Sequence, residues 1–176
     1  EFIYIRTYSR WLDDEKRREA WPETVERYVR FIKKHQPEIP AKTVRKIRKY
    51  VTSFEVMPSM RMLWAAGPAA EKDNATVYNC SYANIDSVDS FAECLHILMC
   101  GSGFGFGVSK KYTDKLPKVP VLNTLEEVTH TVEDSREGWA DTIKVLMNSL
   151  YDGKKVHFDY TDLRPEGARL GVMGGR

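Results

Sequence analysis

The stretch YNCSYANIDSVDSFAECLHILMCGSGFGFGVS, residues 78–109, decides the fold. Its first part, read with the residues before it as TVYNCSYANI, carries Val, Tyr and Ile and predicts a strand around Cys80. Ser87 can cap the helix that follows, which places Phe91, Leu95, Leu98 and Met99 on one side. Alternate glycines come next (Gly101, Gly103, Gly105 and Gly107), ending in a strand-like FGVS. A dinucleotide fingerprint runs strand, then GxGxxG, then helix. Here the glycines follow the helix and lack the two-residue gap before the third glycine, so that fold is rejected. No Walker lysine motif is present either. Strands alternating with helices predict α/β architecture with parallel strands. On spacing alone the glycines keep two readings: a strand packed tightly on a neighbour, or a cradle for a ligand.

Outward from this stretch the pattern continues. A Pro/Lys loop, KKYTDKLPKVPVLN, leads to a predicted helix at about 135–150, with Trp139, Ile143, Leu146, Met147 and Leu150 inward. KVHFDYTDL alternates like a strand, and RPEGARLGVMGGR reads as loop. Toward the N-terminus, Trp21, Val25, Tyr28, Val29 and Ile32 recur at helical spacing. Pro22 suits a first turn, and Glu23 and Glu26 favour the positive end of the dipole, so a helix is predicted over 22–35. QPEIP breaks it, and Val44, Ile47, Val51 and Phe54 form the stripe of a second, basic helix. Residues 1–56 therefore read as a helical region, and from Met57 the texture turns apolar with Gly and Pro punctuation. No internal repeat or low-complexity segment is found.

The bulk numbers set bounds. The 176 residues, 42% hydrophobic and 30% charged, suit one ordinary domain or one compact part of a larger protein. No apolar run approaches the roughly 20 residues a membrane helix needs, so no membrane partner is expected. No signal peptide is read, and the absent initiator Met suggests residues upstream. Three cysteines, an odd number at irregular spacing, make neither a disulfide framework nor a zinc site. A reducing cytoplasm is the default expectation. Residues 1–50 hold 14 Lys/Arg against 8 Asp/Glu, while 51–176 hold 13 against 17. The basic helical start reads first as a solvated face, and second as a contact for nucleic acid or nucleotide.

Three groups could carry chemistry. Cys80 on its strand reads, as a lone cysteine, as a small core side chain; Cys94 and Cys100 on the apolar helix read so more strongly. Asp86-Ser87 stands at a helix start, where free N–H groups can hold a phosphate and a carboxylate can accept from a ribose hydroxyl; from the residues alone simple capping is the first reading. The four histidines are scattered, and no Cys/His dyad follows from their positions.

Together, YNCSY, DSVDSF, CGSGFGFGVS, DSREGWADTIKVLM and FDYTDLRPEGARL...GG occur in an order that resembles the catalytic subunit of ribonucleotide reductase. The opening YSRWLDDEKRREAWPETVERYV looks most like the adenosylcobalamin-dependent (class II) branch. The resemblance implies a ten-stranded α/β barrel of two parallel five-stranded halves, preceded by a helical layer. This chain would supply the helical layer (1–56) and the first barrel strands (57–176). It implies reduction of ribonucleotides to deoxyribonucleotides by a transient thiyl radical, with two further cysteines becoming a disulfide.

Residue by residue, Cys80 matches the first of that reducing pair. Ser59 in MPSM matches the segment that receives substrate phosphates; many relatives have Ser-Thr-Pro where this chain has Ser59-Met60-Arg61. Ser81 resembles a serine that helps hold substrate, and Ser102 and Gly103 the backbone stretch lying against the nucleotide. Asp86 and Ser87 match the place where a deoxynucleoside triphosphate effector binds by its sugar, and the helix from about 135 would line that region. The second reducing cysteine, the radical cysteine, the assisting Asn and Glu, and the adenosylcobalamin contacts all fall later in the family. The closing GGR stops inside a phosphate-loop motif. The implied partners are therefore a ribonucleotide, the effector, a thiol reductant such as thioredoxin, and a companion polypeptide completing the barrel. The short link after the glycine strand implies a homodimer. Class I (metal-dependent) large-subunit, non-catalytic nucleotide-binding and basic nucleic-acid readings remain as alternatives.

Overall fold

The structure is a computed structural model that describes residues 1–121 and 126–168. The chain divides into two compact units, Glu1–Tyr78 and Asn79–Ala168. The texture change at Met57 falls inside the first.

The first unit is helical. It contains α1 (Phe2–Thr7), a two-residue hairpin of β1 (Trp11–Leu12) and β2 (Arg17–Arg18), α2 (Trp21–His35) and α3 (Ala41–Thr52). Short helices α4 (Met60–Ala65) and α5 (Pro68–Lys72) and a 3-10 turn (Asn74–Val77) complete it. α2 starts as its sequence predicts: Pro22 lies in the first turn, and the Glu23 carboxylate reaches back to the Ala20 N–H at 2.7 Å. Hydrogen bonds from Arg17 hold the Glu23 carboxyl down at about 2. The apolar stripes of α2 and α3 meet, burying Val25, Val29 and Val51 beneath Trp21, Tyr28, Val44 and Ile47. Phe54 lies past the end of α3 with φ 62° instead of on its stripe, and stacks on Trp21 with ring centroids 4.6 Å apart.

An ion pair organises the unit's other side. Glu19 and Arg27, with side chains only 6% and 12% exposed, bond twice, at 2.9 and 3.0 Å. Thr24 Oγ1 and the Arg10 N–H also donate to this carboxylate. Arg27 donates onward to the Ala66 and Tyr8 carbonyls, tying α2 to the end of α4 and the end of α1. Burial pushes the Glu19 carboxyl up, but the Arg27 guanidinium and the donated hydrogen bonds outweigh it, and the net direction is down. Burial, reinforced by the Arg27 charge, pulls the neighbouring Arg10 guanidinium down to about 10.

The second unit consists of two βαβ segments. In one, β3 (Cys80–Asn84), α6 (Asp89–Met99) and β4 (Gly103–Gly107) form a parallel pair with its crossover; in the other, β5 (Glu127–Thr131), α8 (Arg136–Tyr151) and β6 (Lys155–Asp159) do the same. A single turn, α7 (Lys110–Thr113), follows β4. Both crossover helices end alike. The Gly101 and Ser102 N–H groups bond the carbonyls of Leu98 and Ile97, and those of Gly153 and Lys154 bond Leu150 and Ser149. Gly101 and Gly153 hold φ of 83° and 77°, the left-handed conformation this ending demands.

Parallel α/β architecture is thus observed. Among the described residues the strands form three two-stranded sheets, and β3–β4 and β5–β6 do not join. The ten-stranded barrel implied by the resemblance is therefore not present as one sheet in this segment. Four further expectations are corrected. The strand begins only at Cys80, because Asn74–Val77 is capped into a 3-10 turn by the Asp73 carboxylate. β5 lies where the sequence reads as connection; Val128 and the threonines around it signal it. Leu98 and Met99 are exposed; the residues α6 buries fully are the small Ser90 and Ala92. On α8 the fully buried positions are likewise small, Gly138, Ala140, Thr142 and Ser149, and Trp139, Ile143, Leu146, Met147 and Leu150 are half-buried. The GGR motif lies outside the described residues. No described helix is long and apolar enough to cross a membrane.

Replacing Arg27 by Met leaves Glu19 buried without its cation and should cost about 3–5 kcal/mol in denaturant unfolding. The folded Glu19 carboxyl titrates below its unfolded value of about 4.3, so as pH falls the unfolded chain takes up the proton first. The stabilisation is complete above that value and is lost as pH drops through the folded one. Glu19→Gln should flatten this acid slope.

Candidate functional site

The register of the first parallel pair builds the candidate site. Cys80, Tyr82 and Asn84 stand opposite Gly103, Gly105 and Gly107. Because side chains alternate across a strand, these six positions share one face, a row of side chains beside a row of bare backbone. Cys80 is an exposed free thiol. Its Sγ lies 3.8 Å from where a Cβ on Gly103 would stand, so the thiol sits directly beside the open glycine. The Asn79 side-chain amide donates to Cys80 Sγ at 3.4 Å. The Asn79 carbonyl accepts from the Gly103 N–H at 2.8 Å, and Ser81 Oγ donates to the Gly103 carbonyl at 3.0 Å. The two strands are thereby pinned together at the thiol.

The sequence singles out Cys80, Ser81, Ser102 and Gly103 separately; the structure brings them together at one end of β3–β4. Ser102 is buried in the turn out of α6, so the wall it offers is backbone. Ser59 belongs to the first unit, where it occupies the N-cap position of α4 without a side-chain cap bond; it is exposed.

Asp86 and Ser87 lie just past the other end of β3. The Asp86 carboxylate pairs with Lys115 at 2.8 Å, and that bond pushes the Lys115 ammonium up. Ser87 does not cap α6 through its side chain; its hydroxyl faces Ser90 Oγ at 3.1 Å, because the helix starts later, at Asp89. Asp89 reaches Lys144 of α8 at 3.0 Å, so α8 borders this end of the sheet, as the resemblance implies.

Three features escape the sequence reading. Lys115 is hidden in a lysine-rich loop. Tyr82 is marked only by its two-residue spacing from Cys80. His96 and Cys100 lie one helical turn apart, a spacing that could have shown their meeting: Cys100 Sγ is 3.7 Å from His96 Nε2 and accepts from Arg136 Nη1 at 3.2 Å. Cys100 is buried, as its core reading expects. Cys94 is half-buried, and that burial pushes its thiol up.

A family model described as the ribonucleotide reductase alpha domain matches residues 1–68. The chain is 26% identical to an adenosylcobalamin-dependent ribonucleoside-triphosphate reductase of Lactobacillus gasseri, with 98% of this chain and 33% of that protein covered. It is 28% identical to a protein of Mycobacterium phage D29 named as a putative reductase of the same kind, covering 99% of this chain and 30% of the relative. The Euglena gracilis reductase of that name is 26% identical, covering 99% and 27%. A solved B-12-dependent (class II) ribonucleotide reductase superposes with a TM-score of 0.73 at 20% identity, covering 99% of this chain and 34% of that one. The structural likeness shows the fold. The chain spans about a third of the length of these relatives.

Brief treatment of the native chain with iodoacetamide should modify Cys80 rapidly and leave Cys100 unmodified until denaturant is added. Mass spectrometry of the cysteine peptides checks this, and equal labelling of both would contradict the burial described.

Proposed function

We propose that this chain is the N-terminal part of an adenosylcobalamin-dependent ribonucleotide reductase and that Cys80 is one of its two reducing thiols. The observation that carries the reading is the exposed Cys80 sulfur beside the bare backbone of Gly103, on the open face of a parallel strand pair. A thiol that delivers reducing equivalents to a sugar must be accessible, rigidly held and free of side chains on its approach. β3 holds it, Asn79 and Ser81 pin the strand, and Gly103 keeps the approach clear.

The overall reduction balances with two thiols. The ribose 2′-hydroxyl leaves as water, the 2′-carbon gains a hydrogen, and the sulfurs join as a disulfide that an external dithiol such as thioredoxin then reduces. Cys80 supplies one sulfur; the second, and the cysteine that carries the radical, belong to the remainder of the protein. Adenosylcobalamin, when bound, would supply the radical chemistry, and its contacts are expected in the remainder of the protein. A cavity of about 940 Å³ in the first unit is walled by Tyr4, Trp21, Phe54, Met57 and Met60, and the Tyr4 hydroxyl is already bonded to Thr24 and Glu19. Glu1, Arg17, Arg18 and Glu19 also border this cavity, and no observation ties it to the cofactor.

Ser59 receives substrate phosphates and Ser81 and the Ser102–Gly103 backbone form the wall at the thiol. Asp86 and Ser87 take the sugar of a deoxynucleoside triphosphate effector, which requires the Asp86–Lys115 pair to open. The alignment with the L. gasseri enzyme runs over 243 positions against the 176 residues of this chain, so that relative carries extra residues within the matched span. This supports the expectation that a second subunit completes the effector site here. The remainder of the protein supplies the rest of the barrel, and the enzyme works in the cytoplasm.

The test is turnover by the full-length protein that contains this segment. Cys80→Ser should abolish ribonucleotide reduction with a dithiol reductant while leaving effector binding intact; retention of turnover would refute the role of Cys80.

A further inference from the structure

Tyr82 occupies most of the glycine row. A Cβ on Gly105 would stand 3.4 Å from Tyr82 Cδ2, and one on Gly107 would meet the Tyr82 hydroxyl and lie 3.3 Å from Cζ. The phenol ring therefore runs along β4 from Gly105 to Gly107. Its hydroxyl donates to Asn84 Oδ1 at 2.9 Å, which fixes the far end. Yet Tyr82 is 66% exposed. One side of the ring rests against the glycines, where a Cβ at Gly107 would push the phenol's hydroxyl end aside, and the 66% exposure leaves the other side open. Of the three glycines opposite β3, Gly107 is the one half-covered, while Gly103, beside the Cys80 sulfur, and Gly105 stay exposed.

We infer that Tyr82 is a stacking platform for the nucleobase of the substrate. This rests on the ribonucleotide reading of the Cys80 site. Two residues along a strand separate Cys80 from Tyr82 by about 6.6 Å, so a sugar over Gly103 places its attached base over the phenol. A ring that is anchored at its hydroxyl and packed from below loses little freedom when a base stacks on it. Stacking is also indifferent to base identity, because every base has a π face. The arrangement thus suits a site that accepts several ribonucleotides through one contact, leaving discrimination among them to the effector.

Binding of ATP, CTP, GTP and UTP, and of ribose 5-phosphate as the baseless probe, is measured on the full-length protein that contains this segment. Tyr82→Ala should weaken all four nucleotides by roughly 5- to 150-fold and leave ribose 5-phosphate unchanged. In turnover the same factor should appear in KM, with kcat retained. Tyr82→Trp should restore binding. Gly107→Ala, which displaces the hydroxyl from Asn84 without removing the ring, should give a smaller loss. Equal binding of the nucleotides by wild type and Tyr82→Ala overturns the platform alone. An equal loss for ribose 5-phosphate overturns it too, since the effect would then be structural. A wild-type protein that binds no nucleotide overturns both the platform and the reductase reading.

Discussion

The parallel register of β3 and β4 is the constraint on which the candidate site depends. It sets Cys80, Tyr82 and Asn84 against three glycines, and a slip of one residue would turn the thiol to the opposite face and put Phe104 or Ser102 beside it. The register is secured from several directions. The Asn79 carbonyl takes the Gly103 N–H, the Ser81 hydroxyl takes the Gly103 carbonyl, and the Gly107 carbonyl takes the Ile85 N–H. The left-handed turn at Gly101 delivers the chain into β4 without a spare residue.

The same device appears twice. α6 and α8 both stop at a glycine in the left-handed conformation, and both release the chain into a strand parallel to the one before the helix. The helices pack on one another, and the residues they bury fully are small, Ser90 and Ala92 on α6 and Gly138, Ala140, Thr142 and Ser149 on α8, while Leu98 and Met99 face solvent. No repeat is visible in the residues because only the glycine turn and the small size of the buried positions are shared.

The first unit solves a different problem. Beyond the Val25, Val29 and Val51 cluster its helices bury Leu63 and a set of alanines, and several connections between them are polar. Glu19 and Arg27 convert those connections into one network, in which a single guanidinium gathers carbonyls from two distant segments. A carboxylate so well surrounded by donors stays ionised despite its burial.

Much was legible in the residues themselves. Periodicity located α2, α3, α6 and α8, and the helix–glycine–strand order rejected a dinucleotide fold and predicted parallel strands. The family resemblance rested on five ordered motifs, and the comparisons support it. Local chemistry carries such signals, because capping residues, breaks and apolar spacing act over a few neighbours. Other features needed the tertiary structure. β5 hid in a segment read as connection, Lys115 met Asp86 across 29 positions, and Arg136 met Cys100 across 36. Whether Cys80 was core or accessible could not follow from its own strand, since an alternating run has two faces and only the partner strand decides which one is covered. Here the partner is a row of glycines, so the face that carries the thiol remains open.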